Sequence, residues 1–345
     1  MKEKFMLLFM SVLMLVMPSF ASENFKLVER WDHGENIFGR ISKSMLDKDG
    51  QLVVGFRRNG LRLITPEKIT AFAPFGEGKG DLMNYLALIP FKGDVAFVER
   101  PEKVKIFTHK NHTYVEKEIL WFKRGKYPHQ ITNGVFVDNK WFFAGLAYLN
   151  YDPKIFKVCY IKAYNKDRNP LKNLIKDEYK EKNQHHLMDF YLVYFKDRLF
   201  FLAENELKVS IISIKELEIL KEVKLSVPGF YKPMPGDFYG FRQYNYNARK
   251  LIADIEYWIT SYSRIEKALV EDNYLVLQVR TCSDEMKNYA LLFYNVDNFK
   301  LEKTIFTDDY LLGSKDGKYY FYANGNPSLD DDTDNCIIDI YQFKK

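Results

Sequence analysis

The chain has 345 residues, 47% of them hydrophobic and 28% charged, which is ample material for a large core and excludes a disordered chain or a membrane bundle. Its formal net charge of +5 is mild and dispersed, without the concentrated basic stripe of a nucleic-acid binder, so no nucleic-acid partner is expected. The 28 Phe and 24 Tyr favour strands.

At the N-terminus Lys2 and Lys4 precede an apolar run over residues 6–17, too short to span a bilayer comfortably. Small residues follow at Ser19 and Ala21. Residues 1–21 therefore read as a cleaved secretory signal, with an uncleaved anchor as the alternative. Removing them leaves 49 basic and 45 acidic residues, a net charge of +4. The expected product is an exported monomer of residues 22–345, in a bacterial periplasm or outside the cell, without a membrane span. No Cys near the site suits lipoprotein processing. Cys159, Cys282 and Cys336 allow at most one internal bridge. Cys282 and Cys336 fall in neighbouring repeat units, so they are the pair to test.

From residue 41 onward one pattern recurs: a short apolar run, a polar turn, then a dense apolar run. The turns centre on Asp49, Asp94, Asn139, Asp197, Asp272 and Asp316, at spacings of 45, 45, 58, 75 and 44. Asx-Gly and Asx-Lys turns between apolar runs are hairpin signals. Two more strands follow in most units, with the alternation expected of half-exposed strands. A period in the mid-forties with several strands per unit predicts propeller blades. In the third unit the outermost strand, near residues 171–175, is weakly marked. Residues 176–182 are the best candidate for a helical turn.

The sixth unit lacks one strand when the chain ends after Phe343. Residues 24–31 supply it from the other terminus, and pairing the two ends in one blade closes the ring and removes its open edges. The expected fold is all-β: a six-bladed β-propeller of four-stranded antiparallel blades, closed by the N-terminal strand against the C-terminal blade. The long fourth spacing predicts a loop insertion near residues 228–256.

Between the first two units stands Phe75-Gly76-Glu77-Gly78-Lys79-Gly80-Asp81-Leu82. It resembles the Gly-x-Gly-Pro-Gly-Glu-Phe loop that joins blades in bacterial exported six-bladed propellers related to the NHL-repeat group. Lys79 replaces the Pro, Asp81 the Glu and Leu82 the Phe. The resemblance implies a structural role for Gly76, Gly78, Gly80 and Asp81 and supports the propeller fold, but it implies no activity. A phosphate cradle is excluded by context, since strand rather than helix follows the glycines.

Propeller ligands bind at the channel mouth, on the face of the outer-to-inner crossings and the loops after each second strand. That face offers Arg58, Arg100, Glu204 and Arg280 at strand ends, and His129, His185 and Arg242 in the crossings. Arg forks suit carboxylate, phosphate or sulfate groups; the competing reading is that these are rim charges paired with Glu99, Glu204 or Asp284. Six His show no zinc spacing, and Asp330 to Asp334 lack the Gly and Glu of a calcium loop, so no metal is expected. A Gly-x-Ser-x-Gly elbow is absent, and no catalytic residue or cofactor is implied. The leading expectation is a non-catalytic exported propeller binding a ligand or protein partner through its top-face loops. The alternative is a metal-dependent hydrolase or lactonase of the gluconolactonase-like propeller type.

Overall fold

The computed structural model describes residues 25–35, 41–56, 60–74, 76, 78, 80–82, 87–100, 102–123, 130–150, 155–180, 189–234, 258, 260–282, 286–323 and 335–343. They form six four-stranded antiparallel sheets. The first blade is β2 (Ile41–Leu46), β3 (Leu52–Phe56), β4 (Gly60–Ile64) and β5 (Ile69–Ala73), and the second is β6 (Ala87–Phe91), β7 (Asp94–Arg100), β8 (Lys103–Lys110) and β9 (Thr113–Trp121). The third is β10 (Gln130–Val137), β11 (Lys140–Asn150), β12 (Ile155–Asn165) and β13 (Pro170–Lys180), and the fourth β14 (Phe190–Phe195), β15 (Arg198–Ala203), β16 (Lys208–Ser213) and β17 (Glu218–Lys224). The fifth is β18 (Ile265–Glu271), β19 (Tyr274–Arg280), β20 (Tyr289–Asn295) and β21 (Leu301–Thr307). The sixth takes β22 (Tyr310–Lys315), β23 (Lys318–Ala323) and β24 (Asn335–Phe343) from the C-terminus and β1 (Phe25–Glu35) from the N-terminus.

Burial follows position in the blade. All five residues of β3 are buried, because a second strand is covered by blades on both faces. The outermost β17 is exposed at six of its seven positions. The core is accordingly divided among the blade interfaces: Leu52, Val54 and Phe56 pack with Ile338 and Ile340 of the sixth blade, and Val53 with Val95 and Phe97 of the second. Ring closure has its own chemistry. The Phe25 ring lies 4.9 Å from Phe343 and 5.2 Å from Tyr341, and Arg30 makes a bidentate pair with Asp339 at 2.6 and 2.7 Å.

The hairpin turns tie one blade to the next. Asp47 accepts the backbone N–H groups of Asp49 and Gln51 through Oδ1, while its Oδ2 accepts the Tyr114 hydroxyl of the second blade at 2.8 Å. One expectation is corrected: residues 176–180 are not helical but continue β13, with Lys176 opposite Cys159 and Tyr179 opposite Phe156. An eleven-residue partner in β12 outweighs the helix preference of a Lys- and Glu-rich segment. Cys282 and Cys336 are free thiols. Residues 1–21 lie outside the described residues, as does most of the stretch from 228 to 256. The root of that stretch is visible, because Lys232 and Ser263 exchange backbone and hydroxyl hydrogen bonds at 2.8 and 3.0 Å.

Candidate functional site at the channel mouth

The six inner strands, β2, β6, β10, β14, β18 and β22, stand around a central channel of about 630 Å³. Four of them share an irregularity near the top: the pairing register slips at Ser42 in β2, Thr132 in β10, Glu266 in β18 and Leu312 in β22. An extra residue of this kind bends its strand and re-aims the side chains around it. The residues that follow, Lys43, Asn133, Lys267 and Gly313, all line the channel.

In the fifth blade the irregularity builds a buried charge cluster. Arg264 donates to both Glu266 oxygens, at 2.8 and 3.2 Å, and its Nη1 lies 3.5 Å from Glu204 Oε2 in the fourth blade. Arg280 Nε lies 3.5 Å from Glu266 Oε1. Glu204, Glu266 and Arg280 are all buried. Two tyrosines clamp the backbone beneath them from either side: Tyr191 donates to the Ile265 carbonyl at 2.8 Å and Tyr310 to that of Glu266 at 3.3 Å.

Glu204 is the least compensated member. It is 1% exposed, and no side-chain hydrogen bond reaches either carboxyl oxygen among the described residues. Burial, with Asp189 and Glu266 nearby and against the pull of Arg264, pushes its carboxyl up to about 8. Such a group holds its proton at neutral pH.

Deeper in the channel, Lys267 reaches from the fifth blade past the sixth to the first. Its Nζ donates to the Ser44 carbonyl at 2.8 Å and to Ser44 Oγ at 2.9 Å, and Ser44 Oγ in turn donates to the Leu312 carbonyl at 2.8 Å. Burial and the charge of Lys43 pull the Lys267 ammonium down to about 7.

Of the sequence-predicted binding residues, Glu204 and Arg280 belong to one cluster, joined through Arg264 and Glu266. Arg100 is exposed at the end of β7, paired in register with Lys103, and is not part of it. Glu99 faces Lys103 at 2.5 Å and Lys105 at 3.9 Å. Arg58, His129, His185 and Arg242 lie outside the described residues. The cluster's organiser, Arg264, and the channel lysine, Lys267, were missed. The available signal was Arg264-Ile265-Glu266-Lys267, a charged run entering an otherwise apolar inner strand.

The glycine loop lies in the crossing between the first two blades and is held by its own backbone. Gly78 N–H donates to Asp81 Oδ2 at 2.9 Å, Gly76 N–H to the Leu82 carbonyl at 3.0 Å, and Leu82 N–H to the Pro74 carbonyl at 2.8 Å. Gly80 takes φ +85°, and a Cβ on Gly76 would stand 2.5 Å from Asp81 Oδ2. Lys105 donates to the Asp81 carbonyl.

No protein-family model and no curated protein matches the chain. Solved structures do. A putative exported protein from Bacteroides fragilis is similar at 12% identity and TM-score 0.59, over 94% of this chain and 97% of that one. A member of the DUF4221 family from Bacteroides vulgatus is similar at 9% identity and TM-score 0.55, over 94% of this chain and all of that one. At these identities the likeness is one of fold.

Proposed function

We propose that the chain is an exported, non-catalytic propeller that binds a small ligand in its central channel, entering from the face that carries Glu204, Arg264, Glu266 and Arg280. The observation that carries this reading is the channel itself. Its volume is about 630 Å³, within the range of ligand pockets, and it joins apolar wall to a few converging charged groups on one side. Of the cluster, Arg264 and Glu266 line the channel, and Arg280 and Glu204 stand behind them and fix their positions. Export is supported by the Lys2–Lys4 and apolar N-terminal pattern and by the description of the Bacteroides fragilis neighbour as a putative exported protein. The loop from Gly76 to Leu82 is consistent with kinship to NHL-related propellers. A monomer acting outside the cytoplasm, without nucleic acid, fits this reading.

The test is a panel of neutral saccharides, amines and organic acids, screened by thermal shift and followed by calorimetry. The same panel is run on Asn133→Trp and Ser314→Trp, which fill the channel from the third and sixth blades. Channel binding predicts at least one ligand class that binds the parent chain and is lost in both folded variants. An empty panel, or binding unchanged in both variants, refutes it.

A further inference from the structure

We propose that the channel holds an anion site, formed by Lys43 and Lys267, that takes the carboxylate of a small amphipathic organic acid. This deepens the channel-binding reading and rests on it.

The argument starts from an unfavourable arrangement. Lys43 and Lys267 both follow strand irregularities, in the first and fifth blades, and both line the one channel. Between them the sixth blade contributes Gly313 and Ser314, which are small. Two ammonium groups converging in a cavity repel, and partial burial strengthens the repulsion. Among the described residues no carboxylate lies within 4.0 Å of Lys267, and the nearest to Lys43 is Asp189 at 4.0 Å, itself 42% exposed. An ammonium carries three donors, and Ser44 takes two of those of Lys267. Ser44 is anchored in turn on Leu312, so the ammonium is held at a fixed position in the channel, and among the described residues one donor is left for a guest. A bound anion would relieve the repulsion and pair with both lysines.

The rest of the channel defines the rest of the ligand. Leu88, Val193 and Leu269, all partly exposed, line it alongside the lysines. A wall of this kind suits an apolar body rather than a polyhydroxylated one, and one pair of ammonium groups suits one carboxylate.

The experiment uses calorimetry on the full chain with phenylbutyrate, its neutral isostere phenylbutyramide, and inorganic phosphate. Phenylbutyrate is expected to bind at least roughly tenfold more tightly than the amide, the discrimination expected of charge-assisted hydrogen bonds. Lys267→Met and Lys43→Met should each weaken the acid roughly 10- to 100-fold and the amide by much less. Equal binding of acid and amide overturns the proposal, as does acid binding that survives both substitutions. Tighter binding of inorganic phosphate than of phenylbutyrate overturns the carboxylate assignment. If Lys267→Met does not fold, Lys43→Met and the acid-to-amide ratio decide. Channel-dependent binding of neutral or cationic compounds alone sinks this proposal and leaves the channel-binding reading standing. No binding from the whole panel sinks both.

Discussion

Glu204 gives the sharpest check on the buried cluster. Its carboxyl is faced by Arg264 and Glu266 from the fifth blade, by Asp189 from the crossing into the fourth, and by Tyr231 and Tyr262 from the loops above. Burial dominates, so the folded chain keeps the proton up to about pH 8, whereas the unfolded chain releases it near the ordinary value of 4.5. Between those values the folded state binds more protons, and stability must fall as pH rises. The slope for one group is at most about 1.4 kcal/mol per pH unit, so the whole window is worth no more than ~5 kcal/mol. Relaxation and water entry reduce this to roughly half. Glu204→Gln keeps the shape and mimics the protonated acid. Urea unfolding followed by tryptophan fluorescence should find parent and variant similar near pH 5. By about pH 8 the variant should be the more stable by ~2–3 kcal/mol. Parallel curves from acid to pH 8 would mean that Glu204 is ionised in the folded protein, and the argument from burial would fail.

Lys267 acts in the opposite sense. Held down to about 7 against 10.5 when unfolded, it adds stability as pH rises between those values, and Lys267→Met should abolish that rise in the same urea series. Tyr114→Phe removes the interblade bond to Asp47 and is expected to cost ~1–2 kcal/mol, read by the urea midpoint; an unchanged midpoint would mean that the bond contributes nothing net. Gly76→Ala forces the Asp81 carboxylate off Gly78 N–H at a cost of ~1 kcal/mol, and a double-mutant cycle with Asp81→Ala should show most of that cost absorbed. Cys336, fully buried with its thiol pushed up to about 12, should resist iodoacetamide in the native protein and react once it is unfolded, which peptide mass mapping would detect.

The ring was legible because its determinants are local. Each inner hairpin advertises itself through an Asx turn between apolar runs, and the missing strand of the last unit is answered by Phe25 to Trp31 at the other end. The segment at residues 176–180 misled for the complementary reason. Lys176 and Glu178 read as helical only until β12 supplies a ladder of partners, and that partner is not written in the segment itself. Two members of the buried charge cluster, Glu204 and Arg280, were legible singly, because charge at the end of a buried strand stands out. Their joining was not. It depends on Arg264, which enters the fifth blade only after the long crossing that follows β17. It depends equally on the slip at Glu266, a one-residue departure that alternation along a strand cannot register. The same slip recurs at Ser42, and the two together bring Lys267 and Lys43 into one channel from blades 223 residues apart in the pairing of Lys267 with Ser44. The charged lining of the channel therefore sits where the repeat is broken, on the inner strands, while the hairpin turn at Asp47 locks one blade to the next through Tyr114.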